Sequence, residues 1–233
     1  MIALINMSTQ KTERQLSLPF KIRGGPRNGA GRKPSGRAVG VPHRTRARHA
    51  ARHPVHITIK RAQSLPGMRT RAALKVLRGA FAAGCNRFGF RLIHYSIQNT
   101  HIHMVVEAKD RSSLTRGMKG LTVRIARGLN RVWGRKGQVF PDRYHERVLC
   151  SPREVRWALR YVLLNARKHG VGPVKGLDHF ASGWWFDGWR EELEIVGLET
   201  VERPVARART WLLGKGWRRH GAISIDAVPG RGP

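Results

Sequence analysis

Acidic residues, cysteines, tyrosines and long apolar runs are all scarce in this chain of 233 residues, and each scarcity removes a class of explanation. Two cysteines, Cys85 and Cys150, stand far apart with no Cys-x-x-Cys or Cys/His spacing, which excludes a cysteine-based zinc site and a disulfide framework. The apolar opening MIALI is too short for a signal-peptide core or a membrane span, so a cytoplasmic protein with no membrane partner is expected. Aspartate and glutamate number 14 against 45 lysines and arginines, leaving a formal charge of +31 spread along the whole length. Self-repulsion on that scale calls for a polyanion, and nucleic acid is the commonest.

What is present divides by composition. Residues 1–53 are rich in Arg, Gly and Pro and lack helical or strand periodicity, the signature of a disordered basic tail. Within it glycines bracket Arg32, Lys33 and Pro34, a composition suited either to a DNA minor groove or to non-specific phosphate contacts. Residues 54–172 carry periodic segments, 173–202 are aromatic-rich, and 203–233 return to the composition of the start, read as a second mostly flexible basic tail. The aromatic stretch, with Trp184, Trp185, Phe186 and Trp189, either clamps the C-terminal segment onto the core or stacks unpaired bases.

In the central part VHITIK, from Val55, alternates as a strand, and helical spacing follows over 69–88. Two β-rich runs, Phe90 to Gln98 and His101 to Ala108, flank Asn99 and Thr100 as a hairpin. A second helix from Ser112 to about Trp133 buries Leu114, Met118, Leu121, Ile125 and Leu129. A fourth strand over Tyr144 to Cys150 leads to a third helix, capped by Ser151 with Pro152 and Glu154 in its first turn and running to about His169. The predicted fold is α+β: a ferredoxin-like β-α-β-β-α-β antiparallel sheet followed by a helix, with the first two helices on one face and flexible basic tails.

Chemistry concentrates in two places. His101 and His103, one residue apart on a strand, point to the same face and form a two-imidazole platform for a metal ion. On the third helix Tyr161 and Asn165 lie one turn apart on the flank of the Val155, Leu159, Val162 and Ala166 ridge, with Glu154 and Lys168 continuing the stripe. Of three tyrosines, Tyr95 lies mid-strand where it is expected to be packed, so Tyr161 is the first candidate nucleophile and Tyr144, which opens the fourth strand, a distant second. Arg124, Arg127, Arg131 and Arg135 recur at helical spacing on the second helix, and Arg143, His145 and Arg147 alternate along the fourth strand; both sets are candidate phosphate contacts.

The stretch Asn99-Thr100-His101-Ile102-His103-Met104-Val105-Val106 resembles the Asn-x-His-hydrophobe-His strand of the HUH single-tyrosine transposases, the IS200-like and REP-associated group. Tyr161-Val162-Leu163-Leu164-Asn165-Ala166-Arg167-Lys168-His169-Gly170 is similar to that family's Tyr-Ile-x-x-Asn-Pro-Val-x-x-Gly helix, and the likeness spans residues 54–172. Ala166 stands where the family commonly has proline, so the helix is expected to run a turn further with Tyr161 and Asn165 in register. The resemblance implies a divalent metal ion, Mg²⁺ or Mn²⁺, held by His101, His103 and Asn165, with Tyr161 attacking single-stranded or hairpin DNA to form a 5′-phosphotyrosine. One tyrosine per chain then requires either a homodimer or sequential use of one site to cut two ends. Two other readings compete: a non-catalytic DNA-binding relative on the same fold, and an RNA-binding module, whose usual aromatic pair on the central strands is missing.

Overall fold

The computed structural model describes residues 49–168, 170, 173, 176–193 and 202–229. Its sheet is built from β1 (Val55–Lys60), β2 (Asn86–Arg87), β3 (Phe90–Ile97), β4 (His101–Ala108) and β5 (His145–Val148), in the spatial order β2-β3-β4-β1-β5. Every pairing is antiparallel. Setting aside the two-residue β2, this is the α+β, ferredoxin-like arrangement that the order of periodic segments predicts, with the histidine strand β4 in the middle.

Period-two alternation sorts β1 and β4 between two cores. Val55, Ile57 and Ile59 of β1, with Ile102, Met104, Val106 and Ala108 of β4, pack beneath α1 (Arg71–Gly84) and α2 (Arg111–Val132). The opposite face, represented by Val105 and Ile93, is covered by α3 (Pro152–Leu163) and by C-terminal residues including Phe186, Leu212, Leu213 and Trp217. His56, Thr58, His101, His103 and Glu107 therefore fall on the α3 face by register.

Local chemistry explains the helix ends. Ser151 and Glu154 form a reciprocal capping box with Pro152 in the first turn of α3, as the sequence predicts. For α2, expected to start at Ser112, the N-cap is Asp110, whose side chain accepts from the Ser113 backbone N–H. Helix α3 does not continue in register through Asn165. It closes at Leu164 (φ −111°, ψ 15°), and a separate short turn, α4 (Asn165–Lys168), follows. Asparagine competes with the helix backbone through its own short amide, so it suits the start of a new turn better than a helix interior.

Two boundary expectations change. His49, inside the expected N-terminal tail, places Nε2 2.9 Å from the Ala108 carbonyl oxygen. Within the expected flexible tail of residues 203–233, the described part is packed: Val205 joins the first core, and α5 (Trp211–Gly214) and the 3-10 turn Gly216–His220 join the second, with Trp217 buried. Glu107, 1% exposed, fastens this segment. Its carboxylate accepts from the Arg209 and Thr210 backbone N–H groups, the Thr210 hydroxyl and the Arg91 guanidinium. Trp185 and Phe186 do pack onto the cores. Among the described residues no helix is long and apolar enough to cross a membrane.

Candidate active site: a histidine cluster facing a helical tyrosine

On the α3 face of the sheet, β4 lies between β1 and β3, with His103 opposite Thr58 on one side and Ser96 on the other. His103 is buried, 4% exposed, and its ring lies 4.6 Å from that of His101 and 5.1 Å from that of Tyr161, edge-on to both. The predicted platform and the predicted nucleophile are thus brought together, although they come from segments almost sixty residues apart. A cavity of about 340 Å³ opens at this point, lined among others by His56, His103, Arg147, Trp157, Tyr161 and Lys168.

The outward nitrogens of the histidines are anchored. His103 Nδ1 is 3.0 Å from Thr58 Oγ1 and 3.2 Å from His56 Nε2, while His101 Nδ1 is 3.0 Å from Thr100 Oγ1. Hydroxyls on the Nδ1 side hold both rings, the kind of support found behind metal-bound imidazoles. His56 stacks on His103 at 5.3 Å, and burial, then the Arg147 charge, lowers its pKa to about 4. It is a neutral imidazole at ordinary pH.

Positive charge surrounds the tyrosine. Lys168 Nζ sits 4.9 Å from the centroid of the Tyr161 ring, and Arg147 reaches the cavity from β5. Glu154 is the carboxylate of the lining, and its oxygens are engaged by the Cys150 and Ser151 N–H groups and by Arg147 at 3.4 Å. The other tyrosines are elsewhere. Tyr95 is fully buried, its pKa pushed up to about 12 by burial, and Tyr144 lines a different cavity, of about 710 Å³, between α2 and residues 137–144.

Asn165 is fully buried just past the α3 break, and neither polar atom of its amide has a hydrogen-bond partner among the described residues. A buried, orphaned amide carries an uncompensated desolvation cost, which a ligand would relieve. Among the described residues no group of three or more His, Cys, Asp or Glu is placed to hold a metal ion. A metal at this site would take a mixed set of nitrogen and oxygen donors, which the anchored imidazoles suit; Asn165 is not among the residues that line the histidine cavity.

The remaining candidates scatter. Arg124, Arg127 and Arg131 lie on α2, across the sheet from the histidines, and Arg143 lines the 710 Å³ cavity on that same side. His145 and Arg147 are exposed on the edge strand β5, and of these Arg147 lines the histidine cavity. Arg32 and Lys33 lie outside the described residues. Sequence reading passed over His56, Thr58 and Trp157; the alternation of VHITIK already put His56 and Thr58 on one face, but only the β1–β4 register reveals that this is the face of His103.

Residues 48–162 match the family described as "Transposase IS200 like". Over this segment the chain is similar to the IS200-like transposases. The match takes in the His101–His103 strand and ends one residue beyond Tyr161. No curated protein matches the chain. A solved structure described as "Structure of the REP associates tyrosine transposase bound to a REP hairpin" is similar over 56% of this chain and 76% of that one, at 14% identity and a TM-score of 0.45.

Proposed function

We propose that this chain is an IS200-like transposase that cleaves and rejoins single-stranded or hairpin DNA through a covalent tyrosine intermediate. The observation that carries the reading is the meeting of Tyr161 with His103, ring centroids 5.1 Å apart, in a cavity flanked by Lys168 and Arg147. Phenol, imidazoles and cations converging on one concavity are what a phosphodiester requires: a nucleophile, a means of neutralising oxygen charge, and positioning.

The tyrosine oxygen attacks phosphorus, a P–O bond to the phosphotyrosine forms, and the bond to the 3′ oxygen of the leaving strand breaks. The phenolic proton is lost and the leaving oxygen gains one, so a free 3′-hydroxyl and a 5′-phosphotyrosine result. The reverse attack by a 3′-hydroxyl restores the tyrosine, and no nucleotide triphosphate is needed because the phosphodiester bond energy is retained. Lys168 and Arg147 hold the phosphate and offset its charge in the transition state. His101, His103 and Asn165 would hold a divalent ion, Mg²⁺ or Mn²⁺, whose contribution when bound is Lewis-acid polarisation of a phosphate oxygen. Thr58 and Thr100 keep the two imidazoles oriented for that purpose.

The test is a labelled single-stranded hairpin incubated with the protein and Mn²⁺ or Mg²⁺, then run on a denaturing gel. A covalent adduct is expected from the wild-type chain and none from Tyr161→Phe or from the double substitution His101→Ala with His103→Ala. Salt-sensitive DNA binding should persist in both variants. An adduct surviving Tyr161→Phe would show that another residue is the nucleophile, and tight binding without an adduct in the wild type would mark a non-catalytic relative.

A further inference from the structure

Trp157 sits one turn before Tyr161 on α3, and the i, i+4 spacing places both on one helix face. Both line the 340 Å³ cavity together with His103. The other tryptophans near the cores have packing roles: Trp133 and Trp185 lie against the first buried cluster, Trp189 against the second, and Trp217 inside it. Trp157 belongs to neither cluster, nor to the partly buried residues packed on them, and it remains half-buried at the mouth of the cavity. A large apolar ring left out of both cores gains little from its position in the free protein.

Its surroundings are cationic. The Arg160 guanidinium carbon is 4.8 Å from the indole ring centroid, Arg147 and Lys168 line the same cavity, and the nearby Glu154 carboxylate is engaged by the α3 cap. An aromatic plate set among cations is the composition that binds unpaired nucleic acid: bases stack on the ring and phosphates meet the charges. We propose that the Trp157 indole is the stacking platform for a nucleobase adjoining the phosphate that Tyr161 attacks. This rests on the reading of the cavity as a strand-transfer site and names the part of the substrate that the α3 face recognises. Stacking is tolerant of base identity, so Trp157 fixes the strand in place without reading its sequence.

The experiment uses the full chain with Tyr161→Phe as a cleavage-silent parent and a short oligo(dT) carrying one 2-aminopurine. Binding to the parent is expected to quench the 2-aminopurine fluorescence. Adding Trp157→Leu, which keeps apolar bulk but removes the π face, should weaken binding about tenfold and abolish the quench. Trp157→Phe should retain most of both, and Trp157→Gln should repeat the loss seen with leucine, with melting curves confirming that each variant is folded. If the leucine and glutamine variants bind and quench as the parent does, the stacking role is overturned while the strand-transfer reading stands. If the parent itself binds no oligonucleotide, both fall together.

Discussion

At the scale of single residues the structure separates groups that act from groups that hold. His94 is a holding group: 6% exposed on β3, its Nδ1 lies 3.1 Å from Ser182 Oγ and its ring meets Phe186 edge-on. Burial, then the Arg203 charge, lowers its pKa to about 3, against an ordinary value of 6.5. Between those values the unfolded chain binds a proton at this position and the folded chain does not, so stability falls as pH drops from 6.5 toward 3. Thermal melts across that range should show a declining Tm, and His94→Gln should flatten part of the decline; an unchanged slope would move the acid sensitivity elsewhere. Glu107 is the second holding group. Glu107→Ala leaves the Arg91 guanidinium and two backbone N–H groups without their acceptor, and a loss of about 3–5 kcal/mol in urea unfolding is expected. What the sequence made legible at this scale was residue type and spacing: His101, His103 and Tyr161 announce themselves by periodicity. His56 did not, because its part depends on cross-strand register, which is set by the whole sheet.

At the scale of elements, the packing of α2 against α1 and against β3 depends on what two of its positions lack. A Cβ at Gly128 would stand 2.2 Å from Val76 Cγ1, and one at Gly117 would stand 2.2 Å from Phe90 Cγ. By helix propensity alone Gly128→Ala should stabilise α2 by about 1 kcal/mol. Overpacking against Val76, at about 1–3 kcal/mol, is the larger effect, so the variant should unfold at lower denaturant concentration. Adding Val76→Ala should recover part of the loss, and strict additivity of the two changes would contradict direct contact. The third helix shows where element-level reading stops. Its start was fully legible in Ser151, Pro152 and Glu154, but its end at Leu164 was not, since no glycine or proline marks it. Periodicity placed Asn165 in register with Tyr161, whereas the break puts the two on separate turns.

For the whole molecule, composition misled about the C-terminal segment. Arginine, glycine and proline dominate residues 203–233, yet Val205, Leu212, Leu213, Trp217 and Ile223 are enough to dock the described part, residues 203–229, because each is buried in one of the two cores. Sparse apolar residues give no period, so only their three-dimensional destination identifies them as core. The same docking makes the chain's later residues part of its earlier ones: Ala206 N–H donates to the Leu92 carbonyl, Ile97 N–H to the Phe180 carbonyl, and Ala181 bridges Ser96 on β3.

Inheritance and folding thus draw their borders in different places. The segment that matches the transposase family stops at residue 162, but a protein cut there would display the apolar face of α3 and the buried carboxylate of Glu107 to water. A fragment of residues 48–168 is therefore expected to aggregate, with strong light scattering and dye binding, where a chain extended to residue 229 stays monodisperse; a soluble, cooperatively melting fragment would overturn that expectation. Grafting this domain onto another protein means carrying its C-terminal strap along with it.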